Sequence, residues 1–230
     1  MRAAFLSDVH SNHQALSAVL EHAAEQGVDR LYCLGDIVGY NAHPNECIEL
    51  LRKAEVAALQ GNHDWAATVG TSEGFNAYAV AGVDYARRAL SAPNRAWLQS
   101  LPFELQTTLG DCKLAMYHGS PRDPLMEYVF PSTRPDERTA LLRAAGSPNV
   151  LVLGHTHVPM RLEHDGALLI NPGSVGQPRD GDPRTSYAIL DSSDRATQFH
   201  RLDYDVEAAA RAVQEAGLPE FLWQRLLRGV

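Results

Sequence analysis

The sequence has no long hydrophobic run, few cysteines and no surplus of basic residues, and each shortage argues against a class of protein. No apolar stretch approaches the length of about 18 residues that a membrane span requires, so we expect no membrane contact. Residues 1–6 contain one arginine and a few apolar residues and are soon followed by Asp8, which argues against a signal peptide. The three cysteines are odd in number and scattered, and Cys33 and Cys112 lie in apolar runs. We therefore expect buried thiols and a reducing, cytoplasmic compartment.

The shortage of lysine and arginine also limits the partners of the chain. A formal net charge of −8 argues against non-specific nucleic-acid binding, which depends on basic residues that displace counterions from phosphates. With 45% hydrophobic and 21% charged residues among 230, the composition is typical of a globular enzyme. We expect a single domain over residues 1–230 that binds a small substrate. A homodimer remains an alternative to a monomer. A terminal apolar segment forms either part of the core, which is the simpler expectation, or a dimer face. Its apolar residues are Phe221, Leu222, Trp223, Leu226 and Leu227.

The apolar residues that are present follow an alternating pattern of strands and helices. Short apolar runs at 3–6, 31–34 and 56–59 predict strands, and the segments between them have helical spacing. Residues 65–103 interrupt this rhythm and are expected to form a helical insertion. A run of β-rich segments then follows from residue 158. The pattern predicts an α/β fold with two mixed sheets flanked by helices, which is a four-layer α/β/β/α sandwich.

Polar clusters follow several of the predicted strands, so they are expected at the carboxyl edge of a sheet, where open α/β sheets bind ligands. They supply carboxylates, one carboxamide and five imidazoles, the donors that a pair of divalent cations requires. A single cluster is explained as well by a turn, because Asp, Asn and Gly favour turns for local reasons. All five together are not explained that way. The clusters are Asp8-Val9-His10, Gly35-Asp36, Gly61-Asn62-His63-Asp64, Tyr117-His118-Gly119 and Gly154-His155-Thr156-His157.

In this order the clusters resemble the motifs of the calcineurin-like metallophosphoesterases, which run D-x-H, G-D, G-N-H-[D/E], H and G-H-x-H. The resemblance spans residues 8–157 and extends weakly to Asn171-Pro172-Gly173-Ser174. It is strongest to the small stand-alone phosphodiesterases of bacteria and archaea. No ligand position departs from the pattern.

The resemblance implies a site with two metal ions. Asp8, His10 and His157 would hold the first ion, and Asn62, His118 and His155 would hold the second. Asp36 would bridge the two, and one carboxylate oxygen for each ion would place them about 3.5–4 Å apart. Mixed nitrogen and oxygen donors suit manganese, our first expectation, or iron, zinc, nickel or cobalt better than magnesium or calcium.

The same resemblance implies how the site would act. A hydroxide that bridges the two ions would attack phosphorus in line. His63 resembles the catalytic histidine of the family and is expected to protonate the leaving oxygen, with Asp64 orienting its ring. The alternative for His63 is a hydrogen bond to one of the metal ligands. Asn62 is expected to touch the substrate as well as the metal.

Two arginines are candidates for binding the phosphate. Arg122 and Arg179 lie in Pro-, Gly- and Asp-rich loops, and either one would hold a phosphate with two hydrogen bonds. The alternative for both is an ordinary surface arginine. Tyr40, after Gly39, is a candidate for the rim of the site.

Three functions are compatible with such a site. The first expectation is hydrolysis of phosphodiester bonds in small nucleotides or related phosphodiesters. A phosphomonoesterase or a dinucleoside-polyphosphate hydrolase would use the same centre, and the segments 65–103 and 120–133 are expected to decide which substrate enters. A non-catalytic scaffold, like the retromer subunit that has this fold, has no need of the full ligand set or of His63, and this chain has both.

Overall fold

The computed structural model describes residues 1–230 and contains ten strands in two sheets, together with eight helices. The strands are β1 (Arg2–Leu6), β2 (Arg30–Cys33), β3 (Ala57–Ala58), β4 (Glu104–Leu109), β5 (Cys112–Tyr117), β6 (Val150–Leu153), β7 (Met160–His164), β8 (Ala167–Asn171), β9 (Thr185–Asp191) and β10 (Thr197–Leu202). The helices are α1 (His13–Glu25), α2 (Pro44–Lys53), α3 (Asn62–Val69), α4 (Ala77–Ala89), α5 (Ala92–Ser100), α6 (Pro135–Ala144), α7 (Val206–Glu215) and α8 (Glu220–Leu226).

The first sheet has the order β10-β9-β1-β2-β3, in which β1, β2 and β3 are parallel. Helix α1 connects β1 to β2 and buries Ala15, Leu16 and Val19 at helical spacing. It begins where the side chain of Asn12 accepts a hydrogen bond from the backbone N–H of Ala15 at 3.1 Å. Each parallel strand therefore ends at the same edge, where its polar cluster begins.

The second sheet has the order β4-β5-β6-β8-β7, with β5, β6 and β8 parallel. Its inner face packs on the inner face of the first sheet, where Phe5 of β1 joins Leu114 and Val152 in one buried cluster. On its outer face, Leu141 of α6 packs against Leu151 of β6. The predicted four-layer α/β/β/α arrangement of two mixed sheets is confirmed.

Two elements, α3 and β4, have no counterpart in the sequence patterns. The first turn of α3 consists of buried polar residues, Asn62, His63 and Asp64, so it lacks an apolar stripe. Strand β4 is an edge strand paired only with β5, and half of its residues are exposed polar ones. Periodicity cannot detect an element whose burial depends on polar contacts or on a neighbouring strand.

The helices after α3 pack on the helical layer of the first sheet. Val83 and Ala86 of α4 and Leu98 of α5 belong to the same buried cluster as the apolar residues of α1 and α2. None of the eight helices is long and apolar enough to cross a membrane.

The cysteines lie in the interior, whereas the terminal apolar segment is divided between the interior and the surface, with Leu227 44% exposed. Cys33 and Cys112 are buried free thiols in β2 and β5, as expected. Leu222 and Leu226 of α8 are core residues, whereas Phe221 is 40% exposed.

Candidate metal centre

The polar clusters meet between the two sheets. Three of them follow β1, β2 and β3 of the first sheet, and two follow β5 and β6 of the second. Five of the predicted ligands have a positive φ, which non-glycine residues adopt rarely and at a cost of about 1–3 kcal/mol. They are Asp8 (+55°), His10 (+47°), Asp36 (+53°), His155 (+66°) and His157 (+61°). Backbone hydrogen bonds between the loops hold these turns and aim the side chains inward: the N–H of His10, for example, donates to the carbonyl of Asp36 at 2.8 Å.

One group of metal-donor atoms comes from the loops that follow β1 and β6. His157 Nε2 lies 3.2 Å from Asp8 Oδ1, and His10 Nε2 lies 3.8 Å from the same oxygen. The two Nε2 atoms are 3.1 Å apart. All three side chains are buried, so water does not solvate these atoms in bulk.

A second group surrounds His118, directly after β5. Its Nε2 lies 3.4 Å from Asp36 Oδ2, 3.0 Å from Asn62 Oδ1 and 3.1 Å from His155 Nδ1. The seven predicted metal ligands are thus brought together, in the two sets into which the family resemblance divides them.

Asp36 lies between the two groups. Its Oδ2 is 3.6 Å from His10 Nε2 and 3.4 Å from His118 Nε2, while Oδ1 accepts a hydrogen bond from the backbone N–H of His63 at 2.8 Å. One oxygen, Oδ2, therefore faces both groups, while the backbone of His63 occupies Oδ1. Gly61 permits this position, because a Cβ at residue 61 would collide with Oδ1.

The orientation of the imidazoles shows which atoms are free to bind a cation. His10 Nδ1 lies 3.2 Å from the Val38 carbonyl oxygen, and His157 Nδ1 lies 2.5 Å from that of Gln177. A carbonyl oxygen only accepts, so each Nδ1 carries the hydrogen and each neutral ring has its lone pair on Nε2. These two lone pairs face each other with no hydrogen between them.

Such an arrangement is repulsive unless a cation lies between the donors. Asp8 Oδ1 and His155 Nε2 are likewise buried without a hydrogen-bond partner. Buried nitrogen and oxygen atoms that have no hydrogen-bond partner lower the stability of a fold, so they call for a functional explanation. The set of imidazole, carboxylate and carboxamide atoms therefore fits divalent transition-metal ions.

Most of the imidazoles are in the form that binds a metal. Burial lowers the pKa of His10 and His157 below the usual value, and it lowers the pKa of His155 to about 3. These rings are neutral near pH 7, with a lone pair available for a cation.

The carboxyl groups of Asp8 and Asp36, unlike these rings, are charged near pH 7. Burial alone would raise the pKa of Asp8 and Asp36, but nearby imidazoles, among them the positively charged His118, outweigh burial and hold both values below the usual range. Burial would likewise lower the pKa of His118, but Asp36 raises it to about 9. The carboxylate of Asp36 therefore favours positive charge at this position, either as a proton on His118 or as a bound cation.

His63 lies at the edge of the centre, in the first turn of α3. Its ring centroid is 4.8 Å from that of His10 and 4.6 Å from that of Tyr40. Burial lowers its pKa to about 4. Gly39 makes room for the ring: its φ is +99°, and a Cβ there would lie 2.5 Å from His63 Nδ1.

Asp64 does not orient His63, so that prediction is wrong. Its carboxylate accepts hydrogen bonds from the backbone N–H groups of Val38 at 2.9 Å and Gly61 at 3.0 Å. His63 Nδ1 is buried without a partner. Adjacent residues of a helix point in different directions, which is why the neighbour in sequence is not the neighbour in space. Asp64 instead ties the loop after β2 to the start of α3.

The two candidate arginines differ in their surroundings. The guanidinium of Arg122 is held by both carboxylate oxygens of Glu127, so the fork that would bind a phosphate is occupied and the prediction for Arg122 is not supported. Arg179 has no carboxylate within 4 Å, and its Nε is buried without a partner. It donates to Gln177 Oε1 at 3.1 Å and lies over the Tyr40 ring, 5.8 Å from the centroid.

Two further residues at the rim have no signal in the sequence. The Tyr128 ring stacks on His155 with 3.9 Å between centroids. Arg225 of α8 lies 5.7 Å from the Tyr40 ring, and burial together with Arg179 lowers its pKa to about 10. Both come from segments without a motif, and only the folding of the 120–133 loop and of α8 places them here.

Comparison with known proteins agrees with this geometry. The sequence model of the calcineurin-like phosphoesterase superfamily domain matches residues 1–195. An uncharacterised protein of Methanocaldococcus jannaschii is 35% identical over 243 residues, which cover 98% of this chain and 97% of that protein. The phosphodiesterase YfcE of Escherichia coli is 30% identical over 202 residues, covering 84% and 88% of the two chains.

A solved structure is similar over the whole chain. The metallophosphoesterase of Sphaerobacter thermophilus is 37% identical, with a TM-score of 0.84 and coverage of 100% of both chains. The donor geometry, the matched domain and these relatives lead to one conclusion: the chain belongs to the calcineurin-like phosphoesterase superfamily.

Proposed function

We propose that this chain is a phosphoesterase with two metal ions that hydrolyses phosphodiester bonds of small nucleotides or related phosphodiesters. The observation that carries the proposal is the buried pair of donor groups that share Asp36, with the unprotonated nitrogens of His10 and His157 facing each other at 3.1 Å. The phosphodiesterase activity of the relative YfcE supports a diester as the substrate. The intact donor set argues against a scaffold.

The first ion would be held by Asp8, His10 and His157, and Asp36 would be shared with a second ion. A pair of divalent cations supplies Lewis acidity, which stabilises the charge on a phosphoryl group during transfer. The other ligands of the second ion would be Asn62, His118 and His155. Manganese remains the first expectation, with iron, zinc, nickel and cobalt as alternatives.

Around this centre, His63 and Arg179 would act on the substrate. His63 stands beside the donor groups and would hold the proton that the leaving oxygen takes up. A phosphate next to the ring would raise the pKa of His63 and so favour its protonated form. Arg179, which lacks a carboxylate partner, would bind a phosphoryl oxygen.

Replacing Arg179 by glutamine is expected to lower kcat/KM for bis(p-nitrophenyl) phosphate by about 10- to 100-fold, because a hydrogen bond to a charged group is worth about 1.5–3 kcal/mol. Steady-state kinetics of the manganese-loaded enzyme measure this effect. The matched control is Arg184→Gln, since Arg184 pairs with Asp182 and is 46% exposed. Equal kinetics for Arg179→Gln and the wild type would show that Arg179 does not bind the substrate.

The proposed function itself is tested with a panel of substrates. Purified protein loaded with manganese is assayed on bis(p-nitrophenyl) phosphate, p-nitrophenyl phosphate and diadenosine tetraphosphate. We expect two metal ions per chain and the highest kcat/KM for the diester. A preference for the monoester or the polyphosphate would keep the metal centre but change the substrate. No hydrolysis of any of the three by fully loaded protein would contradict the proposal.

A further inference from the structure

A cavity of about 290 Å³ opens beside the metal centre. One wall comes from α3 and the segment after it, with Trp65 and Phe75, and the other comes from the loop after β5, with Leu125 and Met126. Asn62, one of the predicted metal ligands, also lines it. We call this cavity the Trp65 pocket. A group that enters it therefore lies next to Asn62.

The accessible surface of the Trp65 pocket is mostly apolar. Met126 is 42% exposed, and Trp65, Phe75 and Leu125 are only partly buried. Apolar side chains gathered around a cavity next to a polar centre are typical of a ligand site. The Phe75 ring is also tied to the centre, because its centroid lies 4.8 Å from that of His63.

We propose that the Trp65 pocket binds the nucleobase of the substrate. The inference rests on the proposed function, since it assigns the phosphoester of a nucleotide to the adjacent metal centre. Aromatic and apolar walls hold a flat heteroaromatic ring by stacking and contact, which is worth about 1–3 kcal/mol for a base on an aromatic side chain. Trp65 supplies the largest such surface in the pocket.

The charges at the pocket favour a base over a second phosphate. Glu73 and Asp123 are both exposed and line the cavity, and no basic residue does. The carboxylate of Glu73 forms no ion pair, so it repels an anionic group and is free to accept a hydrogen bond from a base amino group. The basic residues near the centre, Arg179 and Arg225, lie at the Tyr40 ring instead.

The test compares two inhibitors that differ only by a base. Adenosine 5′-monophosphate and ribose 5-phosphate compete with bis(p-nitrophenyl) phosphate in the manganese-loaded enzyme. We expect the adenosine compound to inhibit about tenfold more tightly. Trp65→Ala and Met126→Ala, on opposite walls, should each reduce that ratio to below about threefold. Tyr78→Ala is the control, because Tyr78 is an exposed aromatic residue of α4 that stacks on Phe221 outside the pocket.

Tryptophan fluorescence gives a second measurement that does not depend on turnover. Trp65 is one of three tryptophans in the chain, and it is the one that lines the pocket. Adenosine 5′-monophosphate should therefore quench the fluorescence of the wild type and of Tyr78→Ala, but not that of Trp65→Ala, which keeps the other two tryptophans. Quenching without hydrolysis of any diester would support the pocket and contradict the proposed function. Diester hydrolysis with equal inhibition by both phosphates, and with no quenching, would overturn the pocket while leaving the proposed function intact.

Discussion

Asp36→Asn is expected to reduce hydrolysis of bis(p-nitrophenyl) phosphate at least about a thousandfold and to lower the metal content below two ions per chain. Asp36 Oδ2 is the atom that faces both donor groups, at 3.6 Å from His10 Nε2 and 3.4 Å from His118 Nε2. In the proposed centre its negative charge would offset two cations at once, so loss of the charge would weaken both sites. Charge stabilisation of several kcal/mol corresponds to a rate effect of this size.

The substitution should leave the fold intact. Asparagine keeps an oxygen that can accept the hydrogen bond from the backbone N–H of His63, which Asp36 Oδ1 accepts at 2.8 Å. Metal content is measured by elemental mass spectrometry and folding by thermal denaturation. Asp111→Asn, at an exposed turn, is the matched control and should bind metal and turn over as the wild type does. An Asp36→Asn protein that retains two ions and full activity would refute the shared site.

His63→Gln is expected to lower kcat by about 10²- to 10⁴-fold, the usual contribution of a positioned acid or base. The variant should keep its metal ions: His63 also lies within reach of His10 and Asp36, but the groups Asp8–His10–His157 and Asp36–His118–His155 are complete without it. Glutamine approximates the size of the ring and limits the cavity left against Tyr40. The measurement is kcat and KM together with metal content.

A leaving-group test distinguishes proton donation from a structural role. Aryl esters with a good leaving group need little protonation, so the deficit of His63→Gln should shrink with bis(p-nitrophenyl) phosphate and grow with alkyl diesters. His164→Gln, on β7 at the edge of the second sheet, is the control and should behave as the wild type does. An equal deficit on both ester types would reject the acid role.

The fold was accessible to prediction because its signals are local. The apolar runs 3–6 and 31–34, for example, form the largely buried strands β1 and β2. The elements that escaped prediction, α3 and β4, are stabilised by contacts with distant residues. Helix α3 begins with polar side chains that are buried only because the loops after β1 and β2 cover them.

The candidate site shows the same division. The residue types that could bind a metal were predictable from the sequence, because each motif is short. The hydrogen-bond partners of Asp64 and Arg122 were not predictable. Asp64 binds the backbone of Val38, and Arg122 is occupied by Glu127. Both contacts depend on how loops fold back, which no spacing of residues encodes.

The sequence by itself determined which chemical groups the chain carries and the order of strands and helices that presents them, because helical and strand periodicity and strand-end turns act over a few residues. Only the tertiary structure decided that His10 and His157, 147 residues apart, face each other at 3.1 Å, that one oxygen of Asp36 serves both groups, and that an apolar pocket opens at Asn62. These distances follow from the packing of two sheets and from turns with positive φ, and both are properties of the whole folded chain.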